Sequence, residues 1–246
     1  MLIIGMNLII FSSFASGKAD EENDQHPYTY GTDRCQVYDP YERFNRKVFA
    51  FNTALDNLVL RPLAKGYSKV TNNYIRNRVE SFTGNISEPL TFVNYAIQGN
   101  YTGTMTSFWR FIINSTLGVG GLFDVAGKMK LKNRKQTLGN TLARYGVPPG
   151  PYIMLPIYGG VVFRDITDSV LTNNLLNPLQ YQLHGDFKIV VTAAQIIDSR
   201  AKIMPFTDYV TKNSTDPYIT IRNAIFNQRE SKMTYPANFK CPVIKK

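Results

Sequence analysis

The stretch Ser107-Phe-Trp-Arg-Phe-Ile-Ile-Asn114 predicts a helix whose apolar side chains cover almost its whole surface. Only Arg110 and Asn114, which lie one helical turn apart, form a narrow polar line. Two interpretations fit this pattern. In a water-soluble protein it is a core helix whose polar pair is bonded internally. In a membrane it is a helix that faces lipid on one side and a polar passage on the other.

An amphipathic helix is predicted upstream of this stretch, with Asp39 as its N-cap and Pro40 at the first helical position. The pair Arg61-Pro62 is predicted to end or kink this helix. Its apolar side chains recur at intervals of three and four, which places them on one helical face. They are Tyr41, Phe44, Val48, Phe51, Leu55 and Leu58.

Further helices are predicted on both sides of the opening stretch. An apolar stripe over residues 75–86 stops near Glu88-Pro89, and an apolar piece over residues 90–97 follows it. Two more apolar-faced helices are predicted around residues 189–197 and 218–226. Each of these runs is broken by a charge, Pro or Asn before it reaches the length that spans a bilayer.

The densest basic run of the chain follows Gly118-Val-Gly-Gly121, which indicates a helix C-cap and a tight turn. Bases alternate at first with other residues, and this period of two predicts an extended, β-hairpin-like arm near residues 128–142. The arm either docks on phosphate headgroups or is a plain solvated loop. Its bases are Lys128, Lys130, Lys132, Arg134 and Lys135.

Composition and motifs favour a folded, non-enzymatic protein. The 246 residues are 43% hydrophobic, which excludes a disordered chain, and the net charge of +10 favours an anionic partner. Two Cys and two His are too few for a zinc finger. No Gly-x-Ser-x-Gly motif occurs, and the histidine of the body, His184, has no evident catalytic partner. We therefore expect no enzyme activity, no metal and no cofactor.

The chain is divided into four parts by composition. Residues 1–19 resemble a signal peptide with cleavage near position 15 or 19, although a buried N-terminal helix is the alternative. Residues 20–38 form an acidic, flexible segment, residues 39–229 a single helical domain, and residues 230–246 a tail. Residues 145–160 hold eight Gly or Pro but keep apolar side chains, so they are predicted to be a fixed loop inside that domain.

Export would place the two cysteines in an oxidising compartment, where they can pair. We therefore predict a disulfide between Cys35 and Cys241, which would join the two ends of the folded chain. Two free, unrelated thiols are the alternative.

Short motifs in a fixed order across residues 39–229 resemble one family. They include Asp39-Pro-Tyr-Glu-Arg-Phe-Asn-Arg46, Asn85-Ile-Ser-Glu-Pro89, Gly118-Val-Gly-Gly-Leu-Phe-Asp-Val-Ala126, Tyr145-Gly-Val147 and Asp216-Pro-Tyr218. Each motif alone is weak, but their common order resembles the VacJ/MlaA family of outer-membrane phospholipid-transport proteins.

The resemblance implies a mainly α, single-domain fold, in which a ring of amphipathic helices lies in the membrane interface around a central channel. It also implies a place at the periplasmic face of the outer membrane, beside a trimeric porin. Members of the family are thought to take phospholipid from the outer leaflet and pass it to a soluble periplasmic carrier, MlaC. No bond is made or broken in this transfer.

A headgroup that crosses a bilayer needs a polar path, and polar residues on the predicted helices are candidates for it. The alternative is that these asparagines cap helices and that Arg110 pairs with Glu88 or Asp124. By position, the basic arm corresponds to the family's hairpin loop near the channel, which suggests a gate. The candidate path residues are Asn45, Asn52, Asn85, Glu88, Asn94, Arg110 and Asn114.

The chain departs from the family at its N-terminus. Typical members end their signal with a Leu-x-x-Cys box, and no Cys stands near position 15, which makes lipid anchoring doubtful. Two rival functions stay open. A lipid-modifying enzyme would also meet phospholipid at a membrane, and a basic chain can bind nucleic acid. The absence of a recognised nucleic-acid module and the predicted signal argue against the latter, so no nucleic-acid partner is expected.

Overall fold

The computed structural model describes residues 35–132, 134–168 and 186–242. The predicted signal peptide, residues 20–34 of the acidic segment, His184 and the last four residues of the tail lie outside the described residues.

The described chain is mainly helical with one small antiparallel sheet, which confirms the predicted fold class. Among the described helices, none combines the length and the apolar character that crossing a membrane requires. The elements are α1 (Glu42–Leu55), a π-helical turn (Asp56–Leu60), α2 (Arg61–Val70), α3 (Asn73–Ile97), α4 (Tyr101–Thr116), α5 (Val125–Lys128), α6 (Leu138–Arg144), β1 (Tyr152–Leu155), β2 (Gly159–Val162), α7 (Phe163–Thr167), α8 (Asp186–Asn213) and α9 (Pro217–Glu230).

The start of α1 differs from the prediction. The helix begins at Glu42 and no side chain caps it, so Asp39 is not the N-cap. Its carboxylate instead accepts hydrogen bonds from Tyr218 Oη (2.5 Å) and Arg222 Nη1 (2.9 Å). These donors lie far along the chain, and in the bond from Arg222 both partners are charged, whereas a capping bond would come from an uncharged backbone N–H. Asp39 therefore ties the start of α1 to α9.

The pair Arg61-Pro62 does not end the helical path, because the π-helical turn connects α1 directly to α2. Pro62 is the second residue of α2 and directly follows the π-helical turn, so the helical path accommodates one missing backbone donor there.

Helix α3 also continues where the sequence predicts a stop, since it runs through Pro89 to Ile97. Proline removes one backbone bond of a helix, but tertiary contacts can hold the turn. Glu88 and Asn94, on either side of Pro89, are each bonded to residues distant in sequence. The apolar piece over residues 90–97 is therefore the second half of one helix, which packs against α4.

The hairpin lies at a different place from the predicted arm. Strands β1 and β2 pair in register Tyr152↔Val162 and Leu155↔Gly159, within the Gly- and Pro-rich loop. The prediction of a hairpin-like arm near residues 128–142 is corrected, since residues 131–132 and 134–137 are irregular and α6 begins at Leu138. The carbonyls of Leu131 and Arg134 accept bonds from side chains of α4 and α3, so they do not pair with a second strand.

The chain forms two compact units, each made of segments that are not adjacent in sequence. Among the described residues, the first unit contains residues 68–132, 134–141, 167–168 and 186–195, and the second contains residues 35–67, 142–166 and 196–242. The sequence predicts a single domain, and this interleaving means that no one cut in the sequence separates the units.

The second unit has a hydrophobic core between α1, the hairpin and α9. A disulfide joins Cys35 to Cys241, with their Cα atoms 5.3 Å apart, so the two cysteines for which a bridge is predicted are bonded. The bridge fastens the segment before α1 to the C-terminal tail. The core residues are Cys35, Val48, Tyr152, Met154, Val162, Tyr218 and Phe226.

Candidate functional site: a buried polar stripe beneath a basic segment

Helix α4 turns its polar side chains inward and its apolar side chains outward. Asn100 caps its start by accepting a bond from the Gly103 N–H (2.9 Å). The side chains of Phe108, Trp109 and Ile112 are exposed, and Trp109 has 52% of its surface accessible. This arrangement inverts the pattern of a helix in a water-soluble protein. The buried residues follow at intervals of three, three and four: Thr104, Ser107, Arg110 and Asn114.

Helix α3, which packs against α4, shows the same inversion. It exposes Val93 and Ile97 while it buries polar residues at intervals of three. We call the buried polar residues of the two helices the polar stripe. Its members are Asn85, Glu88, Thr91 and Asn94 of α3, and Thr104, Ser107, Arg110 and Asn114 of α4.

Arg110 is the centre of the polar stripe. Its Nε donates to Glu88 Oε1 (2.8 Å), its Nη2 donates to Asp124 Oδ1 (3.0 Å), and its Nη1 donates to the carbonyl of Leu131. The side chains of Arg110 and Glu88 are only 4% and 1% exposed. Pairing of Arg110 with Glu88 or Asp124 is the alternative to lipid contact that the sequence leaves open. Arg110 is paired with both acids.

Asp124 connects α4 to the next element. Its Oδ1 accepts from Asn114 Nδ2 (2.9 Å) and from the Gly127 N–H (2.9 Å), which caps α5. Burial of Asp124 opposes its ionisation, but these bonds and Arg110 together hold its pKa below the ordinary value. For Glu88 the balance is reversed, because burial raises its pKa against the opposing bond from Arg110. The two acids of Arg110 thus differ in how well they keep their charge.

A basic segment, residues 128–135, lies over the polar stripe. Besides the bond from Arg110 to Leu131, Tyr95 Oη donates to the carbonyl of Arg134 (3.1 Å). The Gln136 N–H, just after the segment, lies 3.5 Å from Thr91 Oγ1. The five basic side chains are all exposed. The structure therefore brings the predicted arm and five of the seven predicted path residues into one assembly.

Other residues of this assembly were not predicted. Thr141 Oγ1 donates to Asn94 Oδ1 (2.7 Å) and accepts from Gln98 Nε2 (2.9 Å). The interval of three that links Glu88 to Asn94 through Thr91 is a signal in the sequence, and it would have found Thr91. Nothing local marks Thr141, which lies 47 residues from Asn94.

The other two path candidates, Asn45 and Asn52, lie on α1 in the second unit and bond to the hairpin. Asn45 donates to the carbonyl of Tyr152 (3.1 Å) and accepts from the Met154 N–H (2.8 Å). Asn52 makes a similar pair of bonds further along the chain. It donates to the carbonyl of Leu155 (3.0 Å) and accepts from the Ile157 N–H (2.7 Å). Asn45 thus pairs with the edge of β1 as a neighbouring strand would, and Asn52 bonds to the end of β1 and to the turn that follows it.

Two carboxylates near the end of the hairpin, Asp165 and Asp168, each have their own donors. Asp165 accepts from Arg229 Nε (2.8 Å), and Asp168 accepts from the Gly139 N–H (2.7 Å). Within residues 35–132, 134–168 and 186–242, no group of three or more His, Cys, Asp or Glu is placed to hold a metal ion.

The fold and the site define a helical protein that presents apolar side chains outward and keeps a charged, polar stripe inside its first unit. Residues 37–232 match the family model described as MlaA lipoprotein. The intermembrane phospholipid transport system lipoproteins MlaA of Shigella flexneri and Escherichia coli are 36% and 35% identical to this chain over 204 residues, which cover 81% of it and 80% of each relative.

Two further similarities concern a relative and a solved structure. A protein of Rickettsia felis is 55% identical over 247 residues, which cover 98% of both chains. A solved structure described as "Structural basis for maintenance of bacterial outer membrane lipid asymmetry" superimposes with a TM-score of 0.68 at 38% identity, and covers 78% of this chain and 97% of that one. The chain belongs to the MlaA lipoprotein family, as the motifs predicted.

Proposed function

We propose that this protein is the outer-membrane component of a phospholipid transport system. It takes phospholipid that has strayed into the outer leaflet, conducts it through an amphipathic channel and passes it to a periplasmic carrier of the MlaC type. It does so without making or breaking a bond. The names of the Shigella and Escherichia relatives, which are transport-system components, support this proposal.

The inverted polarity of α3 and α4 is the observation that carries the proposal. In water, partly exposed side chains such as Phe108, Trp109 and Ile112 lose a share of the roughly 1.5–3 kcal/mol that full burial of a large apolar side chain provides. Against acyl chains this loss disappears. Amphipathic helices that do not span a bilayer can lie in the membrane interface, where Trp and Tyr are favoured.

The same reasoning extends to the second unit, because α1 exposes Phe44 and Phe51. We propose that the protein reaches the outer membrane through its predicted signal peptide. There it is held at the periplasmic face by these interfacial helices and by a trimeric porin.

The polar stripe is our candidate for the headgroup path. Arg110 would meet the phosphate, with Glu88, Asn85, Asn94 and Asn114 beside it. The basic segment covers this stripe, so its displacement would free the Arg110 bond to Leu131 and act as a gate. For Asn45 and Asn52, the bonds to the hairpin favour a structural role beside the path.

Transport is tested by expressing this chain in Escherichia coli that lacks its own MlaA. Phosphatidylethanolamine in the outer leaflet is then labelled with an amine reagent that does not cross the membrane. We expect the chain to lower the labelling, and we expect Arg110→Glu at equal protein level to fail. Restored asymmetry with Arg110→Glu would contradict the headgroup path. Release of fatty acid or headgroup from supplied lipid would support a lipid-modifying enzyme instead.

The gate is tested separately with cysteines at Gln98 and Gln136, whose side chains are in contact (3.2 Å). A short bifunctional cross-linker should abolish the drop in labelling, whereas the Gln136→Cys variant treated in the same way should retain it. Transport that survives efficient cross-linking would argue against gating by this segment.

A further inference from the structure

The basic segment has its backbone turned inward and its charges turned outward. The carbonyls of Leu131 and Arg134 are held by Arg110 and Tyr95, as described above. Lys128, Lys130 and Arg134 are exposed. Fixed backbone bonds therefore present a row of charges at the surface of the first unit.

No acid follows this row closely in the sequence. From residue 125 to residue 164 the chain contains no Asp or Glu. The acid just before this interval, Asp124, accepts bonds from both Arg110 and Asn114. The segment is therefore a local concentration of positive charge, and a negatively charged partner would stabilise it.

Exposed apolar side chains occur within this segment and shortly before it in the sequence. Met129 lies within the segment with 58% of its surface accessible, and the turn that precedes α5 exposes Leu117, Val119 and Leu122. Bases beside exposed apolar side chains fit the boundary of a bilayer, where headgroup phosphates lie next to acyl chains. A groove for nucleic acid or for an acidic protein does not require this apolar border.

We propose that residues 128–135 form a docking surface for anionic phospholipid headgroups, those of phosphatidylglycerol or cardiolipin in the bilayer that receives the protein. This inference rests on the proposed function and adds the headgroup class. The basic segment then has a second role besides covering the polar stripe, because it attracts anionic lipid toward that stripe.

The test is flotation of the purified full-length chain with vesicles of phosphatidylcholine alone and with vesicles that also contain phosphatidylglycerol. Each base near an anionic surface strengthens binding roughly fivefold at low salt. Lys128→Gln, Lys130→Gln and Arg134→Gln combined should therefore weaken binding to the anionic vesicles by about 100-fold, with little change on phosphatidylcholine. The preference of the unaltered chain should fall as salt rises.

A matched control removes the same charge elsewhere, through Lys212→Gln, Lys232→Gln and Lys240→Gln, and should retain the preference. An equal loss in this control, or an unchanged preference in the first triple variant, would overturn the docking surface but leave the proposed transport function intact. Binding of RNA or an acidic protein through these bases, without a phosphatidylglycerol preference, would also overturn it. A chain that partitions into neither vesicle would contradict the interfacial seating on which the proposed function depends.

Discussion

Arg110 holds three parts of the first unit together, because its guanidinium reaches α3 through Glu88, the start of α5 through Asp124 and the basic segment through Leu131. The sequence identifies Arg110 as the charge on an otherwise apolar helix and gives both acids as alternative partners. It does not show that all three bonds form at once, because the partners lie 14 to 22 residues away and their positions depend on tertiary packing.

Removal of Arg110 should be costly. Arg110→Met leaves the buried Glu88 without its partner, so we expect the free energy of unfolding to fall by roughly 3–5 kcal/mol, measured by denaturant titration in detergent. Arg43→Met, at an exposed position, should change it by less than about 0.5 kcal/mol. Adding Glu88→Met to Arg110→Met should recover part of the loss, since a well-packed apolar pair can replace a buried ion pair. Similar stabilities of the Arg110 and Arg43 variants would show that the pair is not buried.

The two acids should affect the pH dependence of unfolding in opposite ways. The folded pKa of Glu88 is raised, so its contribution to stability is present below its ordinary value of about 4.3 and is lost as pH rises through the raised value. The folded pKa of Asp124 is lowered, so its contribution is present above about 3.9 and is lost as pH falls.

We therefore expect Glu88→Gln to flatten the stability curve above about pH 4.3, and Asp124→Asn to flatten it on the acid side. Unfolding titrations across this range measure both effects. Curves of the two variants that remain parallel to that of the unaltered chain would disprove the assignment.

At the scale of elements, apolar spacing predicts where the helices lie but not which side of each helix is buried. Helix α1 and the two halves of α3 are present, whereas Phe44 and Phe51 of the predicted apolar stripe are exposed and Val48 is buried. The glycines after α4 form the expected turn, with Gly120 and Gly121 at positive φ. The helix end predicted at Pro89 is wrong, because the packing of α3 on α4 outweighs one lost backbone bond. The hairpin predicted from the period of two in the basic segment is wrong. The backbone carbonyls of this segment accept bonds from side chains of α3 and α4 and not from a second strand.

The bonds from α1 to the hairpin give a second prediction at this scale. Asn45 is fully buried, so Asn45→Ala leaves the Met154 N–H and the Tyr152 carbonyl without partners and should cost roughly 3 kcal/mol. Asn52→Ala should cost only about 1 kcal/mol, because its bond to the Ile157 N–H is exposed and water can replace it. Denaturant unfolding of the two variants measures the difference. Equal losses would mean that burial does not set the strength of these bonds.

At the scale of the whole molecule, the question is whether protein or lipid covers the apolar side chains of α4. The helix over residues 107–114 has either a core or a membrane interpretation. The described structure exposes Phe108, Trp109 and Ile112 and buries Arg110 and Asn114. Composition alone cannot decide this, because an apolar face looks the same in a sequence whether protein or lipid covers it.

Trp109 reports directly on what covers that face, since it is the only tryptophan of the chain and lies half-exposed on α4. The most direct measurement is its fluorescence in vesicles whose acyl chains carry bromine, compared with quenching by iodide in the water phase. Contact with acyl chains predicts a blue-shifted emission that bromolipid quenches strongly and iodide leaves nearly unchanged. Emission that iodide quenches and bromolipid does not would place α4 in water and contradict the proposal of an interfacial lipid transporter.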